Sequence, residues 1–189
     1  FMLAQTRMLP AGLNSHAANG DPEWVRLRAG SVSLRGLSVL ILGFGTIANE
    51  LLKLLVPFEM KLTAMRRYPR GDEGIPTVTT EGLSAALATA DHVINILPDN
   101  PESQRFINAE RLAQMKPGAI FHNIGRGTTV DQSALVESIR SGHLAAAWLD
   151  VTDPEPLPAD HPLRLEPNCF ITPHTAGGHA HEDLTLVNH

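Results

Sequence analysis

From Leu37 onward, short apolar runs alternate with segments whose apolar residues recur every three or four positions. The runs 37–42 (LSVLIL), 60–65 (MKLTAM), 91–97 (DHVINIL), 118–124 (GAIFHNI), 144–150 (LAAAWLD) and 168–173 (NCFITP) have strand length and no one-sided alternation. Runs of this kind predict strands buried on both faces. Between them, 46–58 (TIANELLKLLVPF) places Ile47, Leu51, Leu54 and Leu55 on one side, predicting a helix ended near Pro57. Helices are also predicted over 80–90, over 108–115 with Asn108 as N-cap, and over 130–143, closed by Ser141-Gly142. Before this alternation, FMLAQTRMLP (1–10) has helical spacing, and AGLNSHAANGDPEW (11–24) reads as a loop. The fold class expected is α/β, a Rossmann-type doubly wound parallel sheet with helices on both faces.

The first strand runs into Gly43-Phe44-Gly45-Thr46-Ile47-Ala48, a G-x-G-x-x-A pattern between a strand and a helix. Gly43 suits a tight turn, Gly45 leaves room for a pyrophosphate, and Ala48 allows close packing of helix on strand. The positive end of the helix beginning near Thr46 favours phosphate. In that context the pattern predicts a dinucleotide site.

The second strand ends at TAMRRYPR (63–70), with three arginines in eight positions. The tip of strand two meets the adenosine ribose in such a unit, where an acid serves NAD. Here Arg66 and then Arg67 stand at the tip, and no acid follows them until Asp72. A guanidinium cannot accept from a ribose hydroxyl, but its fork suits a 2′-phosphate. The expected cofactor is NAD(P)(H), leaning to NADP(H), with Arg66 as the discriminating residue, Arg67 as the second choice and Arg70 as a solvated side chain.

Composition narrows the partners. The net charge is −5 and 43% of residues are hydrophobic, which argues against nucleic acid and anionic membranes. The one cysteine, Cys169, excludes an internal disulfide and suits a reducing, cytoplasmic setting; it reads as a buried small side chain. His179, His181 and His189 lack a Cys or acidic cluster at ligand spacing, so no metal is expected.

Three further segments carry specific motifs: LPDNPESQRFINAERLAQMKPGAIFHNIGRGTTVDQSAL (97–135), GHLAAAWLDVTDPEPLPADHPL (142–163) and EPNCFITPHTAG (166–177). Together they resemble the D-isomer-specific 2-hydroxyacid dehydrogenases, and the DVTDPEPLPADHPL variant is most similar to glyoxylate/hydroxypyruvate reductases. The residues read alone are compatible. Arg126 follows an apolar strand in a Gly-flanked turn, where its fork could span the carboxylate and carbonyl oxygen of a 2-oxo acid; pairing with Asp131 is the competing role. His174 also follows a strand, and histidine suits proton delivery to a forming alkoxide.

The resemblance implies reduction of a small 2-oxo acid to its D-2-hydroxy acid, with Arg126, Glu155 and His174 as the catalytic set. It selects Glu155, before Pro-Leu, over its neighbour Asp153 as the partner of His174. It also implies cofactor contacts from Gly43, Gly45, Thr46, Ile47, Leu97, Pro98, Ile124, Asp150, His174 and Gly177, with Asp150 near the nicotinamide carboxamide. Asp99 and Asn100 depart from the Leu-Thr usual in the family's loop. The organisation implied is an opening helix and loop over 1–30 serving as interdomain or dimer arm. A nucleotide-binding domain over 31–178 follows, then the start of a truncated segment over 179–189, with the substrate domain absent. Phe1 in place of Met agrees with a piece of a longer chain. A homodimer is implied. The alternative from another class is a non-catalytic NAD(H)-sensing protein of the same fold, akin to corepressors.

Overall fold

The computed structural model describes residues 1–15, 18 and 20–177. Seven strands form one sheet: β1 (Ser38–Leu42), β2 (Lys61–Met65), β3 (Thr77–Val78), β4 (His92–Asn95), β5 (Ile120–Asn123), β6 (Ala146–Leu149) and β7 (Cys169–Ile171). Their spatial order is β3-β2-β1-β4-β5-β6-β7, and every pairing is parallel. The chain steps outward from β1 to β3, then returns to the other side of β1 to lay down β4. The carboxyl ends of β1 and β4 therefore flank a switch point, where open α/β sheets bind ligands.

Alternate side chains of β1 explain its unbroken apolar run. Leu40 and Leu42 join a core with Leu83 and Leu87 of α5 (Leu83–Leu87), Leu112 of α6 (Ala109–Gln114) and Leu135 and Ile139 of α7 (Gln132–Arg140). Val39 and Ile41 join the opposite core with Ala48 and Leu55 of α4 (Thr46–Leu55). Both faces are covered, so neither can be polar. The expected Asn108 cap is present: its side chain accepts from Arg111 N at 3.0 Å. Gly142, at φ 74°, follows α7 and donates to the Ile139 carbonyl.

Several elements differ from the sequence expectation. The opening segment is two helices, α1 (Met2–Thr6) and α2 (Leu9–Leu13), broken where Met8 adopts φ 54°. The segment 11–24 is not all loop, since α3 (Pro22–Gly30) starts inside it with the Asp21 side chain accepting from Glu23 N at 2.7 Å. The Asp-Pro-Glu triplet is an N-terminal helix signal that the loop-like composition masks. Ile47 and Leu54 are 60% and 67% exposed; of the expected stripe Leu55 is buried and Leu51 partly so, and Ala48 turns inward beside them. The two-residue β3 was not anticipated; it is too short to show any periodicity.

Two histidines sit inside the sheet. His92 on β4 and His122 on β5 are buried, with His92 Nδ1 3.0 Å from His122 Nε2. Burial pushes His92 down to about 4 and holds His122 well below the usual histidine value. On the adjacent strand β6, Trp148 pairs in register with His122, stacks between Phe1 and Phe170 and donates to Gln5, which seats α1 on the domain.

Candidate active site

The glycine turn forms at the carboxyl end of β1. Gly43 takes φ 92°, and a Cβ there would approach the Ile96 carbonyl oxygen to 3.1 Å, so the turn itself requires glycine. Gly45 is different. It has φ −130°, open to any residue, and a Cβ would meet nothing within 4 Å. The protein has no need of its own for a bare backbone there. Among the described residues no side chain caps α4 and its first turn holds no acid, so no side chain there competes for its first N–H groups. Empty room, free donors and a positive helix end together fit a pyrophosphate.

Three adjoining clefts line this edge of the sheet. The first, about 360 Å³, is bounded by Gly43, Arg66, Arg67, Leu97 and Pro98 among others. The second, about 340 Å³, opens over Gly45, Thr46 and Asn49 and shares Arg66 and Arg70 with the first. The third, about 440 Å³, is lined by Ile47, Ile124, Arg126, Asp150, His174, Ala176 and Gly177. All the sequence-derived site residues but one reach these walls. The exception, Glu155, stands behind His174.

The arginine cluster is organised by an acid that sequence reasoning passed over. Glu73 is 4% exposed and accepts from Arg70 N at 2.7 Å, Gly71 N at 2.9 Å and Arg66 Nη1 at 3.1 Å. The Arg70 N–H is the main influence holding its carboxyl below the usual range, with Gly71 and Arg66 adding to it against the opposing effect of burial. Arg67 pairs with Glu102 across the mouth of the first cleft, both side chains being largely exposed. Arg70 is exposed, as expected, and also lines two clefts. An acid in a polar, arginine-rich loop gives no periodic signal, so the sequence does not distinguish Glu73.

At the other end, Asp150 closes β6 and is 2% exposed. Its carboxylate accepts from Thr172 Oγ1 at 2.6 Å, Thr175 N at 2.9 Å and Ala176 N at 2.8 Å. Burial pushes this group upward, but those hydrogen bonds and the neighbouring His174 outweigh it and hold the carboxyl low. The loop so pinned carries His174 at φ 52°, a backbone region uncommon for side-chain-bearing residues. Its N–H donates to the Asp150 carbonyl at 3.0 Å. Such an outlier persists only where the surroundings enforce it.

Glu155 Oε1 lies 2.6 Å from His174 Nδ1. A carboxylate oxygen only accepts, so the proton of this bond belongs to Nδ1, and Nε2 is left for a ligand. Asp153, the competing acid, faces a separate polar cleft with Gln132 and His161. Arg126 is exposed, and Nη1 donates to the Gly125 carbonyl at 2.7 Å. The competing pairing with Asp131 is not made; Asp131 instead caps α7 by accepting from Ala134 N at 3.1 Å.

The departures in the loop after β4 have local roles. Asn100 Oδ1 accepts from Glu102 N and Ser103 N, and Thr128 Oγ1 donates to Asp99. Burial pushes the Cys169 thiol up to about 12, so it is no nucleophile. His179, His181 and His189, like the expected segment 179–189, lie outside the described residues.

Comparison with known proteins bears on most of the chain. Residues 1–176 match the model of the D-isomer specific 2-hydroxyacid dehydrogenase NAD binding domain. The chain is 34% identical over 179 residues to the human glyoxylate reductase/hydroxypyruvate reductase, covering 92% of this chain and 54% of that protein. It is 43% identical over 140 residues to a protein from the proB 3′ region of Corynebacterium melassecola, covering 74% and 46%. Among solved structures, a D-isomer specific 2-hydroxyacid dehydrogenase from Xanthobacter autotrophicus Py2, in complex with NADPH and MES, superposes with TM-score 0.80 at 32% identity, covering 93% and 54%. The chain thus spans about half the length of the curated relatives it matches.

Proposed function

The chain belongs to the D-isomer specific 2-hydroxyacid dehydrogenases, as their NAD-binding domain, and on that premise we propose that it forms the cofactor-binding and proton-donating half of an enzyme interconverting a small 2-oxo acid and its D-2-hydroxy acid. The observation that carries this is the meeting of Arg126 and His174 on one cleft, with Glu155 2.6 Å behind the histidine. Nicotinamide, when bound, supplies or takes up the hydride.

The chain's own residues do the rest. Gly43, Gly45, Thr46 and the first turn of α4 hold the pyrophosphate. Leu97 and Pro98 line the adenosine cleft, while Ile47, Ile124, Asp150 and Gly177 line the nicotinamide end. Arg126 binds the substrate carboxylate and polarises its carbonyl oxygen. His174 gives that oxygen a proton from Nε2, and Glu155 keeps the ring aimed and stabilises its charge.

Arg66 supports a lean to NADP(H). It spends one terminal nitrogen on Glu73 and leaves Nε and the other nitrogen without a partner among the described residues. NADPH in the Xanthobacter relative is in keeping with that lean. The substrate class most in keeping with the human relative is glyoxylate or hydroxypyruvate. We further assign a cytoplasmic setting and a homodimer formed through residues 1–30.

Titration of the full-length protein with NADH and NADPH, each against a panel of 2-oxo acids, tests the reading. Reduction of glyoxylate or hydroxypyruvate with NADPH preferred is the expected result; no turnover of any 2-oxo acid would overturn it. The 189-residue chain alone is expected to turn over little, because it spans about half the length of the relatives it matches and excluding water needs a cleft closed from both sides.

A further inference from the structure

Glu155 stands on the loop 152–156, which leaves β6 and returns towards β7. Within this loop, Thr152 Oγ1 donates to the Pro154 carbonyl at 3.0 Å, a bond that shapes the loop without fixing its place. Its place is fixed by Gln132. Because Asp131 serves as N-cap of α7, Gln132 is the first residue of the helix and its side chain is free to reach outward. Its Nε2 donates to the Asp153 carbonyl, and its Oε1 accepts from Asp153 N at 3.3 Å. An amide that bonds both polar groups of one backbone residue fixes rotation as well as position, as a step in a strand ladder does. Among the described residues, no other side chain outside the loop bonds its backbone.

The other side of the loop is pressed against Gly127. A Cβ on Gly127 would lie 2.0 Å from the Thr152 carbonyl carbon and 2.5 Å from Asp153 N. Gly127 and Gln132 both belong to the short segment that begins at Arg126 and runs through the turn Gly127–Thr129 into α7. One stretch of chain therefore carries the substrate-holding guanidinium and grips the loop bearing the carboxylate behind His174.

We propose that Gln132 is a positioning residue that sets Glu155 against His174 and locks that pair in register with Arg126. The inference rests on the reading of Arg126, Glu155 and His174 given above. It assigns Gln132 no contact with substrate or cofactor; its effect passes through Glu155 alone.

Side-chain ¹⁵N NMR of His174 at alkaline pH tests this without turnover. Glu155 holds the ring proton on Nδ1, whereas a free neutral imidazole favours Nε2. Glu155→Ala is expected to move the two ring nitrogens towards free-imidazole shifts, and Gln132→Leu to move them in the same direction. Gln132→Glu, which keeps the acceptor for Asp153 N but loses the donor, is expected to fall between. In the full-length enzyme, with glyoxylate and NADPH as probes, Gln132→Leu is expected to lower kcat roughly tenfold. In a Glu155→Ala background the same substitution is expected to cost less than about twofold. Unchanged shifts in Glu155→Ala would sink the Glu155–His174 reading itself. Shifts that move in Glu155→Ala and not in Gln132→Leu would overturn the role of Gln132 alone. An equal kcat loss in both backgrounds would also overturn it.

Discussion

Two buried carboxylates, Glu73 and Asp150, stand at opposite ends of the cleft edge, and each folds a loop around itself by accepting backbone N–H groups. What they present differs. Glu73 presents long cationic side chains, with Arg66 tied by one nitrogen and Arg67 paired at an exposed rim. Asp150 presents a histidine held in an uncommon backbone conformation and backed by a second carboxylate. The arginine end can adjust to a ligand by moving side chains about a fixed loop. At the histidine end the backbone itself is the instrument, so small displacements carry a large penalty.

Acid separates these carboxylates from the rest of the interior, and the largest effect is expected there. Burial keeps His92 near 4 and holds His122 well below the usual histidine value, so the folded chain binds neither proton at mildly acidic pH. The unfolded chain, with histidines titrating at about 6.5, binds nearly two. Stability is thus expected to fall as pH drops below about 6.5, by up to about 2.7 kcal/mol per pH unit. Glu73 and Asp150, both held low, begin to withdraw their contribution only below about 4. Urea midpoints of wild type and a His92→Leu/His122→Leu variant check this. The variant should lose the slope between about pH 4 and pH 6.5; an unchanged slope would place its source elsewhere.

In the full-length enzyme, His174→Ala is expected to lower kcat by roughly 10²–10⁴-fold while leaving nucleotide affinity nearly intact. Arg66→Ala should leave kcat nearly intact and weaken NADPH binding by a smaller factor. An equal kcat loss in both would break the division between the two ends, and steady-state kinetics beside equilibrium titration decides. Asp150→Asn turns an amide towards N–H groups and is expected to cost about 2–3 kcal/mol in urea unfolding. Glu73→Gln should lower the midpoint less, because part of its shell is a mobile side chain. The smallest effects concern selectivity. Arg66→Ala is expected to weaken NADPH relative to NADH roughly tenfold, and Arg67→Ala by no more than about twofold, its pairing being exposed and screened.

The same contrast explains what could be read from the sequence. Asp150 ends an apolar run, Arg126 and His174 follow such runs, and strand ends at one edge of a parallel sheet converge by topology alone. The sheet, its order of elements and the glycine turn were legible for that reason, since period and punctuation encode them. Glu73 lies in a polar loop, and nothing local distinguishes an acid that will be enclosed from one that will be solvated. Gln132 was equally silent: its partner is a backbone group 21 residues away, which leaves no imprint on side-chain pattern. Ile47 and Leu54 misled for the opposite reason, because their helical spacing marks a stripe without saying which edge of it turns inward.

The contact between Gly127 and the backbone of Thr152 and Asp153 also bears on ancestry and engineering. Two stretches so closely fitted cannot be exchanged one at a time between related proteins. A recombinant that takes the Arg126 turn from one parent and the Glu155 loop from another inherits a collision or a gap. Residues 126–132 and 150–156 therefore form one unit of inheritance, although some twenty residues separate them along the chain. Crossovers that keep both from one parent should survive where those that split them do not.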